Sequence, residues 1–205
     1  MNNARVDPER ARGPRDDRGV ISSRIVEAAR KEFVEHGVSG TTFRAIARRA
    51  DVDPALVHYY FASKEALLDA ATTPPPELLE SVRAAVGAPL EHRGESIIAN
   101  VLQLWASPEI GDILRATLLC ANVDEATREK LRISMSTSFI GATAEQLPQE
   151  DRMARAGLVS SQIIGVCWLR FIWKLDPLAT MSDSAVVSRI APTLQKYLEG
   201  SLDDD

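Results

Sequence analysis

The chain has 205 residues, a formal net charge of −5 and 45% apolar residues, which is the composition of an ordinary globular protein. The acidic net charge argues against a uniformly basic coat around nucleic acid. The charge is unevenly spread, because residues 1–71 carry 12 Lys and Arg against 11 Asp and Glu, whereas residues 72–205 carry 12 against 18. This mild asymmetry permits a nucleic-acid-facing surface in the N-terminal part.

Cysteine and histidine usage predicts neither a metal site nor a cofactor. Cys120 and Cys167 show no metal or redox spacing, and none of the three histidines pairs with another ligand type at metal spacing. We expect both thiols to be buried small side chains, with a thiol sensor as the alternative. The start of the chain has no secretory signal, and the most apolar stretch, 158–169, is too short and polar to span a bilayer. We therefore expect a soluble, cytoplasmic protein without a membrane partner.

Helical periodicity and the absence of strand-like alternation predict an all-α fold. Residues 1–20 are rich in arginine and acids and are predicted to form a disordered tail, with a minor-groove arm as the alternative. A small helical domain is predicted over 21–71 and a larger one over 72–205, separated near the proline run 74–76. The predicted helices are 23–36, 43–50, 54–61, one after Ser63, 76–86, 94–106, 109–121, 124–146, 150–175 and 183–199.

The second and third helices have clear start signals and a very short connection. Thr42 is suited to cap the first of them, and Asp53 caps the second with Pro54 at its first helical position. Only Asp51-Val52-Asp53 joins the two helices. Two short helices with so tight a connection are typical of a helix-turn-helix, in which the second helix enters the major groove of DNA.

The sequence also predicts which faces of the pair point in and out. The inward face comprises Phe43, Ile46, Ala47, Val52, Val57, Tyr60 and Phe61. Ala55, His58 and Tyr59 are predicted to point outward, with Leu56 at the margin, and this small, acid-free face suits the floor of a major groove. The predicted DNA contacts are Thr42, Arg44, Asp53, Pro54, Ala55, Leu56, His58, Tyr59, Tyr60 and Lys64.

Residues 22–70 resemble the DNA-binding domain of the tetracycline-repressor (TetR) family. The resemblance is carried by Thr42, Arg44, Ile46-Ala47, Val52, Tyr59, Phe61 and the run Ser63-Lys64-Glu65-Ala66-Leu67-Leu68. It implies an N-terminal three-helix helix-turn-helix domain, a larger C-terminal helical domain that binds a ligand and dimerises, and binding of double-stranded DNA. It also implies a transcriptional regulator, by default a repressor, and not an enzyme.

Several positions depart from the family pattern. Asp51 stands where the family usually has glycine in a left-handed turn, a conformation that Asp tolerates at modest cost. Pro54-Ala55, Leu56 and His58 also differ from the residues common there. Because these side chains lie nearest the bases, the operator sequence cannot be taken from relatives.

The resemblance implies a homodimer formed by the last two helices. Such a dimer would place two helix-turn-helix domains on a palindromic operator. Gly157, Ser161 and Gly165 recur every four residues and form a smooth stripe, suited either to a subunit interface or to close packing within one subunit. The predicted interface residues are Gly157, Ser161, Gly165, Trp168, Ile190, Leu194 and Tyr197.

The resemblance also implies a pocket for a small-molecule effector in the larger domain. The candidate wall residues are Trp105, Leu118, Cys120, Met135, Phe139, Trp168, Phe171 and Trp173, each of which is otherwise an ordinary core residue. Few charges lie among them, so we expect an uncharged, mostly apolar ligand whose binding releases the operator. Two competing hypotheses remain: an all-α ligand carrier or enzyme, and a structural dimerisation module. In either case the N-terminal part would only resemble a helix-turn-helix domain.

Overall fold

The computed structural model describes residues 14–147 and 151–199, and within these ranges all regular secondary structure is helical. The prediction of an all-α fold is confirmed. The chain divides into two compact units, the first ending at Ala71 and the second beginning at Thr72. None of the helices in the described ranges combines the length and hydropathy needed to cross a membrane.

Four helices account for the first unit. They are α1 (Pro14–Gly40), α2 (Phe43–Ala50), α3 (Pro54–Tyr60) and α4, which runs from Lys64 to Thr72. Residues 14–20 are helical, so the predicted disordered tail over 1–20 is wrong for this part. Pro14 can begin the helix because a proline is tolerated in the first helical turn. Residues 1–13 lie outside the described residues. Gly37 interrupts the helical backbone of α1 at φ 69° and ψ 168°, the position at which the sequence predicts its end.

The core of the first unit is formed where α1 packs against the three shorter helices. Its fully or almost fully buried side chains are Ile25, Ala28, Ala29, Phe33, Ile46, Ala47, Val57, Leu67 and Leu68. The α1 members recur at helical spacing, so one face of α1 supplies a continuous apolar surface. The positions of α2 and α3 are therefore set by packing on that surface.

Polar contacts tie α1 to α2 at two places. The Arg49 Nε donates to Oε1 of Glu32 at 2.7 Å, although Glu32 is only 3% exposed, and the Arg49 Nη1 donates to Oε1 of Glu35 at 2.8 Å. At the other end of α2, the Arg24 guanidinium donates to the carbonyls of Ala50 and Asp51. Arg24 thus satisfies acceptors that the end of a helix leaves unpaired.

The connection between α2 and α3 depends on a left-handed residue. Asp51 has φ 52° and ψ 54°, as the comparison with the family's usual glycine predicts, and its N–H donates to the carbonyls of Ala47 and Arg48. The conformation carries a modest energetic cost for Asp. Its carboxylate lies 3.8 Å from the Arg24 guanidinium, which adds a weak, exposed ion pair.

The second unit contains the remaining helices. They are α5 (Pro76–Val86), α6 (Arg93–Ala106), α7 (Pro108–Cys120), α8 (Glu125–Ser134), α9 (Ala142–Glu145), α10 (Arg152–Cys167) and α11 (Asp183–Glu199). A π-helical segment, Met135–Gly141, joins α8 to α9, so the predicted helix over 124–146 is continuous but changes its winding. A second π-helical segment, Trp168–Ile172, extends α10.

A very close helix contact in the second unit joins α6 and α11. A Cβ on Gly94 would lie 2.8 Å from the Ala191 carbonyl oxygen and 2.9 Å from the Gln195 nitrogen, so only glycine fits there. The Gly94 N–H donates to the Gln195 side-chain oxygen at 2.8 Å, and the Gln195 amide donates in turn to the Leu90 carbonyl. This contact fixes which face of α11 lies in the core.

We predict that Arg49→Ala lowers the free energy of unfolding of the protein by about 1–3 kcal/mol, because it removes the hydrogen bond that satisfies the buried Glu32 carboxylate. Arg48→Ala is the matched control, since Arg48 is the exposed neighbour on the same helix. Urea denaturation of the three proteins measures the difference, and equal midpoints for both variants would contradict the role assigned to Arg49.

The contact between Arg49 and Glu35 predicts that the stability of the protein depends on pH. The hydrogen bond from Arg49 lowers the pKa of Glu35 below its ordinary value. A carboxylate with a lowered pKa in the folded state adds stability above its unfolded pKa, and this stability is lost as the pH falls through the folded value. Arg49→Ala should therefore reduce the acid-side loss of stability, whereas Arg48→Ala should leave its profile unchanged in denaturation series across mildly acidic pH.

Candidate nucleic-acid interface and apolar cavity

The helix pair α2–α3 begins and turns as its sequence predicts. Thr42 has an extended backbone, and its hydroxyl oxygen accepts a hydrogen bond from the Ala45 N–H at 3.2 Å. Asp53 is likewise extended, and its carboxylate accepts from the Ala55 N–H at 2.7 Å. Each side chain therefore caps a helix. The three-residue connection between α2 and α3 holds the two helices at a defined angle.

The inward face of the pair is buried to different depths. Ile46, Ala47, Val57 and Phe61 belong to the core, whereas Phe43, Val52 and Tyr60 are half-buried at its edge. Every side chain predicted to point inward is thus at least partly covered. The pair is held by its own packing, which leaves the opposite side of α3 unused by the fold.

The outward face of α3 is exposed. Ala55, His58 and Tyr59 are exposed, Tyr59 at 69%, and Leu56 is half-buried at the margin. The His58 ring lies 4.7 Å from the Phe43 ring, centre to centre, at an interplanar angle of 59°. The contact with Phe43 restrains the imidazole, which makes Phe43 a positioning residue that sequence analysis assigned only to the core.

Tyr59 is restrained in the same way by its neighbour. Its ring lies 5.2 Å from the Tyr60 ring in an edge-to-face arrangement. Tyr60, predicted both as an inward residue and as a DNA contact, is half-buried. Pro54 and Asp53 are exposed at the start of α3.

Cationic side chains lie on the elements next to this face. Arg44 and Arg48 are exposed on α2, and in the part of the chain that the structure describes neither forms a hydrogen bond or ion pair. Lys64 is half-buried at the start of α4, and its ammonium donates to the Val38 carbonyl at 3.0 Å. Only part of the donor capacity of Lys64 is therefore used by this bond.

The second unit encloses an apolar cavity of about 200 Å³. Its wall is formed by Thr72, Pro74, Leu78, Leu79, Val82, Val101, Leu104, Trp105, Ile113, Leu114, Thr117, Leu118, Thr127, Lys130, Leu131, Ser134, Met135, Ser138, Phe139, Ile163, Ile164 and Cys167. Helices α5, α6, α7, α8 and α10 all contribute. The cavity is thus built from sequence segments far apart in the chain.

Four of the predicted pocket residues, Trp105, Leu118, Met135 and Phe139, line this cavity. The other four, Cys120, Trp168, Phe171 and Trp173, are not among its lining residues, and a ligand contact by them stays a prediction. Cys120 lies two positions after Leu118, which turns its side chain to another side of the helix, and Trp173 is exposed.

Trp168 and Phe171 do not line the cavity but pack, partly buried, against the core of the second unit. The Phe171 ring stacks on the Trp105 indole at 4.7 Å with an angle of 3°, so it supports that wall from outside. Trp168 follows Cys167, which does line the cavity, and meets the Trp173 ring edge to face at 5.9 Å. Burial raises the pKa of the Cys167 thiol to about 12, which keeps it protonated at neutral pH.

Sequence analysis missed the α5 wall and the polar residues of α8. Leu78, Leu79 and Val82 are ordinary core residues in sequence, and only the tertiary packing turns them toward a space. The polar members Thr127, Lys130, Ser134 and Ser138 recur at spacings of three and four residues, a signal that could have marked one face of a helix. This part of the lining includes one charged side chain, that of Lys130.

The predicted interface residues fall into two groups. Gly157 and Gly165 are half-buried, Ser161 is exposed, and a Cβ added at either glycine would meet nothing within 4 Å, so no other described helix of the subunit packs closely on this stripe. On α11, Ile190 and Tyr197 are half-buried. Leu194 is 0% exposed and belongs to the core, because the contact between Gly94 and α11 turns it inward; the prediction of an interface role for Leu194 is wrong.

Among the described residues there is no group of three or more His, Cys, Asp or Glu that could hold a metal ion. Two arginine side chains of the second unit hold neighbouring segments of the chain together. Arg93 is buried, and its guanidinium donates to the carbonyls of Ala88 and Gln146. Arg170 binds the Met181 carbonyl and the Asp183 carboxylate, which secures the connection from α10 to α11.

Two family descriptions match the chain. Residues 25–71 match "Bacterial regulatory proteins, tetR family", and residues 91–198 match "Tetracyclin repressor-like, C-terminal domain". The first match contains α2 and α3 together with most of α1 and α4. The second contains most of the helices that surround the cavity.

Relatives and solved structures agree with these matches. An HTH-type transcriptional regulator of Mycobacterium tuberculosis is 39% identical over 54 residues, which cover 26% of this chain but only 23% of that protein. The HTH-type transcriptional regulator BetI of Agrobacterium fabrum is 31% identical over 171 residues, 80% of this chain and 82% of that protein. The crystal structure of a TetR-family regulator from Streptomyces coelicolor is 26% identical with a TM-score of 0.62, over 92% of this chain and 98% of that one. The chain belongs to the TetR family of bacterial regulatory proteins.

Proposed function

We propose that the protein is a homodimeric transcriptional repressor that binds a palindromic operator through α2–α3 and leaves it when a small effector binds in the cavity. The observation that carries the proposal is the exposed, acid-free face of α3, with His58 and Tyr59 pointing outward. A fold that needed this face for its own packing would have buried it. Family membership supports the same function.

The groups around α3 are suited to different parts of a duplex. His58 and Tyr59 can approach base edges, and Arg44 can reach a guanine edge or a phosphate. Thr42, the free N–H groups at the start of α2, and Lys64 are suited to the phosphates. Base contacts would set the sequence preference, whereas phosphate contacts would set orientation and most of the salt dependence.

Dimerisation through α10 and α11 fits the open stripe on α10. An added Cβ would meet nothing at Gly157 or Gly165, so another helix could approach the backbone closely at both positions. Leu158 and Met153 are exposed on the same helix, at 37% and 56%, and would be covered by such a partner. Two subunits are needed because a palindromic operator presents two half-sites, ~34–36 Å apart or a little more.

The cavity is suited to couple effector binding to DNA binding. Thr72 and Pro74 line it, and Thr72 is the last residue of α4, the helix that begins with Lys64. The Thr117 hydroxyl also contacts the Thr72 carbonyl, at 3.4 Å. A ligand that binds better to one arrangement of this segment would shift the protein toward that arrangement. If the protein in that arrangement fits the operator less well, ligand binding releases it from the DNA.

The proposal is tested by selecting bound duplexes from a random pool and measuring their affinity against salt concentration. The expected result is one palindromic sequence whose affinity falls steeply as salt rises, because phosphate contacts release counter-ions. Binding without any sequence enrichment, or without salt dependence, would refute a specific DNA reader.

Substitutions in the interface should separate its two kinds of contact. We predict that Lys64→Gln weakens binding to selected and random duplexes by a similar factor, about 3- to 10-fold, since a phosphate contact carries no sequence information. His58→Ala should relax the preference at one base position in each half-site, as should Arg44→Ala if it contacts a base. Competition binding with single-base operator variants distinguishes these effects.

Lys196→Gln is the control for Lys64→Gln, because Lys196 is exposed on α11 of the second unit. Its affinity for every duplex should match that of the unsubstituted protein. An unchanged base preference in both His58→Ala and Arg44→Ala would contradict base reading by this face.

Adding a side chain to the open stripe should disrupt the dimer without disrupting the fold. We predict that Gly157→Gln sediments as a monomer at micromolar concentration, since the side chain has free space in the subunit but not against a closely packed partner. Gly19→Gln is the control, because Gly19 is also helical with nothing within 4 Å of an added Cβ. A Gly157→Gln dimer as stable as the control would place the interface elsewhere.

A further inference from the structure

One part of the cavity wall carries three hydroxyl groups. Thr127 and Ser134 on α8, and Ser138 in the π-helical segment that follows, all line the cavity. Seven residues, about two helical turns, separate the first two, and four residues separate the last two. The three side chains therefore share one face of a continuous helical segment, and they are called the hydroxyl strip below.

The fold does not use the hydroxyls of this strip. A Ser or Thr within a helix commonly donates to the carbonyl four residues earlier. The hydroxyls of Thr117, Thr137 and Ser160 do so in this chain. Within residues 14–147 and 151–199, by contrast, none of the three strip hydroxyls forms a hydrogen bond. Thr127 is only 3% exposed, so its hydroxyl depends on the cavity for a partner.

The other helices around the cavity present an almost wholly apolar surface. Those of α7 and α10 that line it are Ile and Leu, together with Thr117, whose hydroxyl already donates to the Ile113 carbonyl, and Cys167, whose thiol is a weak donor. A polar group placed against these walls would lose its water without gaining a partner. The lining residues from α5 and α6 are Leu78, Leu79, Val82, Val101, Leu104 and Trp105.

The lining favours an uncharged ligand. No Asp or Glu is among the described residues that line the cavity. Lys130 lies between Thr127 and Ser134 on α8, but it is exposed and already has an interaction within the chain, so it is not counted among the groups open to a ligand. Burying a full charge in an apolar space costs far more than hydroxyl groups return, whereas one hydrogen bond can satisfy a neutral oxygen group.

We propose that the effector is a neutral, mainly apolar molecule with oxygen groups along one edge, and that this edge lies against the hydroxyl strip. A hydroxyl both donates and accepts, so hydroxyl and carbonyl groups on the ligand are equally suited to Ser134 and Ser138. The inference rests on the proposed function and deepens it. The sequence predicts an uncharged, mostly apolar ligand, and the strip adds the arrangement of its polar groups.

Three probes built on the same two fused rings test this arrangement. They are 2,7-dihydroxynaphthalene, with both hydroxyls on one long edge, its 2,6 isomer, with the hydroxyls on opposite edges, and naphthalene. Calorimetric titration of the full chain at neutral pH, without DNA, measures their affinities. The 2,7 isomer should bind about 5- to 30-fold more tightly than the 2,6 isomer, which must leave one hydroxyl against an apolar wall. The isomers have the same composition, so hydrophobicity cannot produce this difference.

A double variant tests the residues that are held responsible. Ser134→Ala with Ser138→Ala should bring the two isomers to similar affinities while leaving naphthalene binding nearly unchanged, which also shows that the cavity is intact. Ser136→Ala with Thr137→Ala is the matched control, because both residues are exposed on the same π-helical segment and do not line the cavity. The control should keep the preference for the 2,7 isomer.

A third variant tests the location of the probes. Val82 is half-buried in the apolar wall, and Val82→Phe would fill part of the cavity. This variant should weaken all three probes by a similar factor, with the ratio between the isomers preserved. Unchanged affinity for the probes would place them outside the cavity and overturn the inference.

Other results also decide the matter. No binding of any probe, equal binding of the two isomers, or a preference for the 2,7 isomer that survives the loss of Ser134 and Ser138 hydroxyls overturns the inference. These measurements are independent of DNA. Strip-dependent binding of 2,7-dihydroxynaphthalene by a protein that keeps its hold on the selected duplex would refute effector release while supporting the strip. Equal binding of the isomers, with release of the duplex by both, would do the reverse.

Discussion

The contact between α1 and α2 is the constraint on which the candidate DNA interface depends. The buried Glu32 carboxylate and the half-exposed Glu35 carboxylate both bind Arg49, and Arg24 caps the far end of α2. Ile46 and the core residues of α3 also pack on α1. Together with the polar contacts, this packing covers one side of the helix pair. The other side of α3 is left to solvent, with its aromatic rings restrained by neighbouring rings. A surface that is rigid and unused by the fold is what recognition of a duplex requires.

The second unit differs from the first because its helices enclose a cavity. A close contact at Gly94 holds α11 against α6, and α5, α7, α8 and α10 enclose the cavity beside them. The hydroxyl-bearing side of the wall continues from α8 into its π-helical segment, a kind of winding that is frequent at functional sites. The cavity and the open stripe of α10 thus lie in one unit, and the residues at and after the end of α4 belong to the cavity wall.

Local signals in the sequence were sufficient for the helix pair. Thr42, Asp53 and Pro54 mark helix starts, Asp51 takes the left-handed turn, and the periodicity of α2 and α3 separates buried from exposed side chains. The cavity was predicted less well, because a leucine or tryptophan on an amphipathic helix packs into the core or borders a space depending on its neighbours from distant segments. Leu194 shows the same limit: its apolar spacing fits an interface, but the contact at Gly94, about a hundred residues away in the chain, turns it inward. The start of α1 at Pro14 was missed because arginines and acids are common both in solvated helices and in disordered tails.

The central claim is that the exposed face of α3 lies in the major groove, and methylation interference tests it most directly. In this measurement the selected duplex is methylated sparsely, bound by the protein, and the bound and free fractions are compared base by base. Guanine N7 lies in the major groove, whereas adenine N3 lies in the minor groove. The account predicts that methylation at guanine N7 blocks binding in two symmetric clusters, about one helical turn or slightly more apart. Interference confined to adenine N3, or a single unpaired cluster, would contradict it.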